Sequence, residues 1–301
     1  MLGVQQTKGR YFKDRKGDVE SMTNGEKIIR QLIDEGIKSV LFLPYNKRME
    51  DSMASVYEAA FEEGIKCHVH PLGYTACGKN RNDYNMPFLD EVRIEDFDAV
   101  VYHNPYDDSN YVTEVEKEFH SDKLKGKTTL VYIPYYCGKS NMDFMTKPGV
   151  RNADIIFCDP EDELDYQMLY PEKKIFGVES PKMDTIVDGT GDAVLLCTSL
   201  IPFLEGGSFK IAAYRGWLND LEGEEIIFRP HPLMRETIET LSPRLLGEWD
   251  SLIHDIEEKG IEIDTEPQIG KTFARCKLLV SDGSSIVKMW QTTGKPYYLI
   301  D

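Results

Sequence analysis

The stretch SVLFLPYNKRMEDSMASVYEAAFEEGIKCHVHP, residues 39–71, decides the fold. It opens and closes with short runs rich in apolar residues, which are typical of buried strands. Between these runs, apolar residues recur at the spacing of one helix face. We therefore predict a strand at 39–43, a helix within 49–63 and a strand at 66–71. Together they make one βαβ unit with parallel strands.

The same alternation continues along the rest of the chain. Turn-bounded apolar runs predict further strands at 99–103, 129–133, 155–158, 174–178, 193–198, 225–228, 261–263, 277–280 and 296–300. Helical spacing in the second half predicts helices at 209–221, 234–258 with interruptions, 268–275 and 285–293. Strands that alternate with helices indicate an α/β protein, and we predict two Rossmann-like, doubly wound parallel-sheet domains.

The domain boundary is predicted where the composition changes. Residues 180–191 are rich in Ser, Pro, Asp and Gly, which is typical of a linker. We therefore expect an N-terminal domain at 1–187 and a C-terminal domain at 188–301. Residues 73–98 are polar and lack a sustained period, which predicts a long loop. Because no helix follows the last strand, we also expect the C-terminal domain to be truncated and the chain to be a fragment.

Composition and charge limit the possible functions. Of 301 residues, 41% are hydrophobic and 29% are charged, as in globular proteins. The formal net charge of -17 argues against nucleic-acid binding, because it repels phosphate backbones. No run approaches the roughly 18 apolar residues of a membrane-spanning helix, and residues 1–16 lack the apolar core of a signal peptide. We expect a cytoplasmic protein.

The sequence lacks the common metal and cofactor motifs. The six cysteines are scattered singly, without the CxxC pairs or Cys-His clusters that bind zinc. Neither GxGxxG nor GxxxxGK[ST] occurs, which argues against dinucleotide oxidoreductases and P-loop enzymes. We therefore predict no metal and no cofactor.

A first candidate motif, Arg-Pro-His-Pro, lies at residues 229–232 and follows a predicted strand. In open α/β sheets, ligands bind at the carboxyl ends of strands. The prolines stiffen the turn, Arg229 can fork onto two phosphate oxygens, and His231 can donate a hydrogen bond or a proton. The alternative is a structural histidine in a proline-stiffened loop.

A second candidate motif, Ser-Asp-Gly-Ser-Ser, lies at residues 281–285, also after a predicted strand. Gly283 permits a tight turn, and Ser284 or Ser285 can cap the helix that follows. Free amides at the start of a helix attract anions, so the motif predicts a phosphate site. The alternative is an ordinary helix cap, which explains one serine but not the whole set.

These motifs occur in the same order as the signatures of a known family. The segments that carry the resemblance lie at 177–184, 229–233, 281–285 and 294–296. They resemble the signatures G-x-P-R-x-D, R-P-H-P, T-D-Y-S-S and K-P of the CDP-glycerol glycerophosphotransferases. That family has a GT-B-like fold and builds the glycerol-phosphate chains of teichoic acids. The resemblance covers the C-terminal part of the chain well and the first half in outline.

The resemblance implies roles for individual residues. It implies that His231 is catalytic and contacts the donor pyrophosphate, with the charge of Arg229 beside it. Gly283 stands where the family has an aromatic residue. The resemblance implies a donor diphosphate site made of Arg229, Asp282, Gly283, Ser284 and Ser285.

The chain departs from the family in the N-terminal domain. Family members carry a His-Gly pair after a strand, and that histidine is taken as the base for the acceptor hydroxyl. Residues 132–138 of this chain read Tyr-Ile-Pro-Tyr-Tyr-Cys-Gly at that place. The nearest substitute is His103, which ends a predicted strand and has carboxylates nearby in sequence. The alternative is a loop histidine bonded to backbone.

The resemblance implies transfer of glycerol phosphate from CDP-glycerol to an acceptor hydroxyl of a cell-wall polymer precursor. The acceptor would be a polyol phosphate or a glycan, and the family's location implies peripheral contact with the inner face of the plasma membrane. Two alternatives stay open: a GT-B glycosyltransferase or epimerase that uses another nucleotide sugar, and a catalytically silent nucleotide-binding module. The missing His-Gly pair favours the silent module.

Overall fold

The computed structural model describes residues 22–44, 52–70, 93–108, 115–266, 268–283 and 285–300. The strands are β1 (Ser39–Leu43), β2 (Lys66–Val69), β3 (Ala99–Tyr102), β4 (Thr129–Tyr132), β5 (Ile155–Cys158), β6 (Lys174–Gly177), β7 (Ala193–Cys197), β8 (Ile226–Arg229), β9 (Glu262–Ile263), β10 (Cys276–Ser281) and β11 (Tyr297–Leu299).

The helices lie between these strands. They are α1 (Asn24–Asp34), α2 (Ala54–Glu62), α3 (Ser121–Leu124), α4 (Met142–Met145), α5 (Pro148–Asn152), α6 (Glu163–Leu169), α7 (Ile201–Gly206), α8 (Ser208–Asp220), α9 (Met234–Leu241), α10 (Leu246–Glu258), α11 (Ile269–Arg275) and α12 (Ser285–Gln291). Short 3-10 segments occur at Ile94–Asp96, Lys117–Phe119, Pro160–Asp162, Pro181–Thr185 and Pro243–Leu245. No helix in the described ranges is long and apolar enough to cross a membrane.

The strands form two separate parallel sheets. The first has the order β2-β1-β3-β4-β5-β6, and the second has the order β11-β10-β7-β8-β9. Every neighbouring pair in both sheets is parallel. The predicted fold class, two doubly wound α/β domains, is confirmed.

Each sheet is covered on both faces, which explains why its central strands are continuous apolar runs. In β1, for example, Leu41 and Leu43 pack into the core on one face, whereas Val40 and Phe42 pack into the core on the other. The second sheet separates two further cores in the same way. Burial of apolar surface on both faces is the main stabilising term for such sheets.

The structure differs from the sequence prediction mainly in the helices. Helix α1 was not predicted, although Thr23 and Glu26 form a capping box at its start. The first residues of the predicted helix at 49–63 lie outside the described residues, as do 73–92 of the predicted long loop. The rest of that loop includes the 3-10 turn Ile94–Asp96.

The predicted linker at 180–191 packs tightly against the second domain. A Cβ added at Gly270 of α11 would lie 1.7 Å from the carbonyl oxygen of Thr185. Upstream, Asp184 accepts hydrogen bonds from the backbone N–H groups of Asn24 and Gly25 at 2.8 and 2.9 Å. The linker therefore contacts both domains. The last strand of the first sheet ends at residue 177, and the first strand of the second sheet begins at 193. The strands do not divide the segment between them, so the domain boundary between 187 and 188 stays a prediction.

The carboxyl ends of the two sheets face each other. Leu233, just after the Arg-Pro-His-Pro motif, packs into a core of the first domain, and Cys137 packs into a core of the second. The Lys288 ammonium lies 2.7 Å from a carboxylate oxygen of Asp159 across the same interface. Residues after the strands of each sheet therefore meet in a common region.

Candidate active site

The second sheet has its topological switch point between β7 and β10. From β7 the chain proceeds through β8 and β9 on one side, and then crosses to β10 and β11 on the other. Ligands of open α/β sheets bind at such a point, beyond the carboxyl ends of the strands. The 281–285 motif begins with the last residue of β10, and the 229–232 motif begins with the last residue of β8, the strand next to β7.

The segment after β7 holds the two motifs in position. The Thr198 hydroxyl accepts a hydrogen bond from the backbone N–H of His231 at 3.0 Å. The backbone N–H of Ser199 donates to Asp282 Oδ1 at 2.6 Å. Sequence reasoning did not select Thr198 and Ser199, although two polar residues at the end of a predicted buried strand were an available signal.

His231 is fixed as a hydrogen-bond donor. Its Nδ1 accepts the backbone N–H of Leu233 at 3.2 Å, so the neutral ring carries its proton on Nε2. Nε2 has no protein partner among the described residues. Burial lowers the pKa of His231 to about 4, with smaller contributions from the charges of Lys182 and Arg229. At neutral pH the side chain therefore presents an uncharged N–H group.

Arg229 is anchored by a buried ion pair. Its Nη1 lies 2.5 Å from Asp264 Oδ2 and donates to the carbonyl oxygen of Glu266 at 2.7 Å. The side chain of Arg229 is only 12% exposed. Arg229 thus ties the end of β8 to the segment after β9, and its charge acts on His231. Direct contact of Arg229 with a phosphate stays a prediction.

The loop after β10 combines a positioning residue with a glycine turn. Asp282 is buried, and burial raises its pKa, while its Oδ1 holds the segment after β7. A carboxylate repels phosphate, so this contact indicates a positioning role. Gly283 has a φ of 88°, the left-handed region that favours glycine. Ser285 begins α12, and Ser284 lies outside the described residues.

His103 occupies the corresponding place in the first sheet. The strand order of the first sheet puts the switch point between β1 and β3, and His103 directly follows β3. The side chain is fully buried, and its Nδ1 lies 2.5 Å from the hydroxyl oxygen of Ser52. Burial lowers the pKa of His103 to about 3, assisted by the charge of Lys182. The structure places His103 at a ligand-binding edge; its role as a base stays a prediction.

Lys182 connects the two histidines electrostatically. It lies in the linker segment Pro181–Thr185, and its ammonium lowers the pKa of both His103 and His231. The linker segment is held against the first domain by Ser180, whose hydroxyl donates to the Pro134 carbonyl oxygen at 3.0 Å.

The buried, neutral state of His103 makes a testable contribution to stability. The unfolded chain binds a proton at the ordinary pKa of about 6.5, whereas the folded chain binds it only near pH 3. As the pH falls from 6.5 towards 3, His103 should lower the unfolding free energy by up to about 1.4 kcal/mol per pH unit. Urea unfolding of the unsubstituted protein and of His103→Gln, at pH 7 and pH 4.5, measures the change in unfolding free energy with pH. An equal decrease in both proteins would contradict the lowered pKa of His103.

Comparison with known proteins supports the fold. No protein-family model matches the chain, and no curated protein matches it. The S. aureus MnaA structure with UDP matches with a TM-score of 0.55 at 12% identity, over 88% of this chain and 79% of that chain. UDP-GlcNAc 2-epimerase from Neisseria meningitidis bound to UDP-GlcNAc matches with 0.55 at 12%, over 87% and 82%. The wall teichoic acid polymerase TagF matches with 0.52 at 13%, over 91% and 74%. At these identities the likeness shows the GT-B fold.

Proposed function

We propose that this protein is a GT-B transferase that uses a nucleoside-diphosphate-activated donor, and specifically that it transfers glycerol phosphate from CDP-glycerol to an acceptor hydroxyl. The acceptor oxygen would bond to the phosphorus that bears glycerol. The bond from that phosphorus to the bridging oxygen would break, and CMP would leave. The acceptor proton would pass to a base. The sequence offered His103 for this role, but its full burial and its pKa of about 3 disfavour it as a proton acceptor at neutral pH.

The observation that carries the proposal is the geometry of His231. His231 lies beside the switch point of the second sheet, because its backbone N–H donates to the hydroxyl of Thr198, which directly follows β7. Its Nδ1 accepts from the backbone N–H of Leu233. The remaining Nε2–H group can therefore donate to a phosphate oxygen without a change of tautomer. Preorganised donors of this kind stabilise the charge that develops in phosphoryl transfer.

The surrounding residues fit the same role. The positive charge of Arg229 acts on His231, and Gly283, with a φ of 88°, turns the chain before α12. One of the matching structures is the wall teichoic acid polymerase TagF. Its name agrees with the teichoic acid family that the order of motifs in this chain resembles. These points support a donor diphosphate site made of His231, Arg229 and the glycine-serine turn at 283–285, with Asp282 positioning that turn.

A second candidate is an epimerase or glycosyltransferase that uses a UDP-sugar. Two of the matching structures, both with a TM-score of 0.55, contain UDP or UDP-GlcNAc. The same His231 and loop residues would serve any nucleoside diphosphate, so the base and the transferred group distinguish the two candidates.

A ligand screen by thermal unfolding tests both candidates. A ligand at about 100 times its Kd stabilises the folded state by about 2.7 kcal/mol. We expect CDP-glycerol to raise the Tm by several degrees, and CDP-ribitol and UDP-GlcNAc to raise it less. A larger shift with UDP-GlcNAc would favour the second candidate. No shift with any nucleotide would contradict both.

A further inference from the structure

The segment Pro181–Thr185, here called the linker turn, crosses the carboxyl edge of the first sheet. Just before it, the Ser180 hydroxyl donates to the carbonyl oxygen of Pro134, two residues beyond β4, at 3.0 Å. Within it, the Asp184 carboxylate accepts a hydrogen bond at 2.6 Å from the hydroxyl of Ser55, in the first turn of the helix that follows β1. Strand β3 lies between β1 and β4. The linker turn therefore runs over the carboxyl end of β3.

His103 lies beneath the linker turn. It directly follows β3, and its Nδ1 lies 2.5 Å from the hydroxyl oxygen of Ser52. Ser52 precedes Ser55 by three residues, so the segment that leads into α2 contacts both His103 and Asp184. Lys182 is the second residue of the linker turn. These contacts therefore place it at the edge of the sheet that carries His103.

The backbone of Lys182 is held on both sides. Its N–H group donates to the Ser180 hydroxyl at 3.4 Å, and its carbonyl oxygen accepts a hydrogen bond from the Thr185 hydroxyl at 2.7 Å. Lys182 itself is partly exposed. A long, flexible side chain thus starts from a fixed point of the backbone and remains accessible to a ligand.

The linker turn also faces the second domain. Met183, the residue after Lys182, packs against a core of that domain, and so does Ile186. The charge of Lys182 lowers the pKa of His103 in the first domain and of His231 in the second. Lys182 therefore acts on the strand-end histidine of each sheet, at the junction of the two carboxyl edges.

The candidate donor site of the second domain lacks positive charge of its own. Arg229 is paired with Asp264 at 2.5 Å, and Asp282 adds a buried carboxyl group after β10. His231 is uncharged at neutral pH, because burial lowers its pKa to about 4. These four side chains together carry no net positive charge. Since a partly buried anion needs a counter-charge or hydrogen bonds, a diphosphate here needs a cation from outside this set.

We infer that Lys182 binds the diphosphate of the donor, so that the linker turn forms part of the donor site together with the second domain. The Lys182 ammonium donates to phosphate oxygens from the side of the first domain, and the Nε2–H group of His231 donates from the other side. This inference rests on the proposed function and adds a residue to its donor site. A diphosphate held in this way joins the two domains.

The test is isothermal titration calorimetry of the full chain with CDP. Lys182→Met removes the charge and should raise the Kd for CDP about 10- to 100-fold, as expected for loss of one hydrogen bond to a charged group. Lys182→Gln is a second neutral variant, which covers the case in which Lys182→Met unfolds, and it should lose affinity in the same range. Lys182→Arg keeps the charge in another geometry and should stay within about fivefold of the unsubstituted protein.

Lys277→Met is the matched control, because it makes the same change of charge at the opposite edge of the second sheet. Lys277 is the second residue of β10, its side chain is 43% exposed, and it pairs with Glu224 at 2.6 Å. An exposed charge far from the ligand is screened by salt, so the Kd for CDP should stay within about twofold. An equal loss of affinity in Lys277→Met and Lys182→Met would reduce the effect to net charge and overturn the inference.

The same titrations separate this inference from the proposed function. If the unsubstituted protein binds CDP and both neutral variants bind it within about twofold of that Kd, a change too small for a charged contact, the inference alone is overturned. If the ligand screen favours UDP, UDP replaces CDP, since the two carry the same diphosphate. If the unsubstituted protein binds neither nucleotide, the proposed function is contradicted and the inference falls with it.

Discussion

Replacing His231 by alanine should lower kcat for turnover of CDP-glycerol by about 10²- to 10³-fold, the loss typical of one preorganised donor to developing charge. The substitution removes the Nε2–H group and the Nδ1 atom that accepts from the backbone N–H of Leu233, but it leaves the hydrogen bond from the backbone N–H of His231 to the Thr198 hydroxyl. The loop therefore keeps one of these two hydrogen bonds. Release of CMP under saturating donor measures kcat directly.

His254→Ala is the control for this experiment. His254 lies on α10, its side chain is 67% exposed, and it pairs with Glu258 one turn away. Its loss should change kcat by less than twofold. His231→Gln keeps an N–H donor and should recover part of the lost rate. Equal turnover by His231→Ala and the unsubstituted protein would remove His231 from the mechanism.

Titration of His231 should not make the activity depend on pH near neutrality. Burial holds the pKa of His231 near 4, so the ring is already neutral well below pH 7. A lowered pKa of this kind suits a residue that donates a hydrogen bond rather than one that must gain and lose a proton at pH 7.

Much of the sheet architecture could be predicted from sequence because buried parallel strands leave a strong local signal. The predicted strands at 39–43 and 155–158 coincide with β1 and β5. Both are short runs of apolar residues in which side chains on both faces are buried. Helix α1 was missed, although Ile28, Ile29 and Leu32 recur on one helix face and Thr23 and Glu26 form a capping box at its start.

The contacts that organise the candidate site could not be predicted in the same way. Asp264 lies 35 positions after Arg229, and Asp184 lies 160 positions after Asn24. Neither carboxylate belongs to a local pattern that identifies its partner, because tertiary folding alone brings them together. The position of Arg229 at the end of a strand could be predicted to within one residue, since β8 ends at Arg229 rather than at 228, but its fixed partner could not.

Replacing Asp264 by asparagine should lower the free energy of unfolding by about 3–5 kcal/mol, the cost of leaving one member of a buried ion pair without its counter-charge. Asp264 Oδ2 also accepts a hydrogen bond from the Thr272 hydroxyl at 2.7 Å. Burial alone would raise the pKa of Asp264, but the Thr272 hydrogen bond and the Arg229 charge more than offset it and hold the pKa below its usual value. The stabilisation should therefore be present at neutral pH and be lost as the pH falls through that lowered pKa.

Glu262→Gln is the matched control, because Glu262 lies two residues earlier in the chain and also pairs with an arginine. That pair, with Arg275, is exposed on both sides, with side-chain exposures of 45% and 47%. Exposed ion pairs contribute about 0–1 kcal/mol. Urea unfolding of the two variants should differ by at least about 2 kcal/mol. Similar decreases in unfolding free energy would show that the buried ion pair of Arg229 stabilises the fold no more than the exposed pair of Arg275 does.

The same variant decides how Arg229 acts on the donor. If Arg229 works by holding the segments after β8 and β9 in place, Asp264→Asn should weaken CDP-glycerol binding together with stability, because the loop that carries His231 loses its anchor. If Arg229 contacts the diphosphate directly, the freed guanidinium should bind the donor as tightly as before or more tightly. Since Nη1 already serves both Asp264 and the Glu266 carbonyl oxygen, we expect the first outcome.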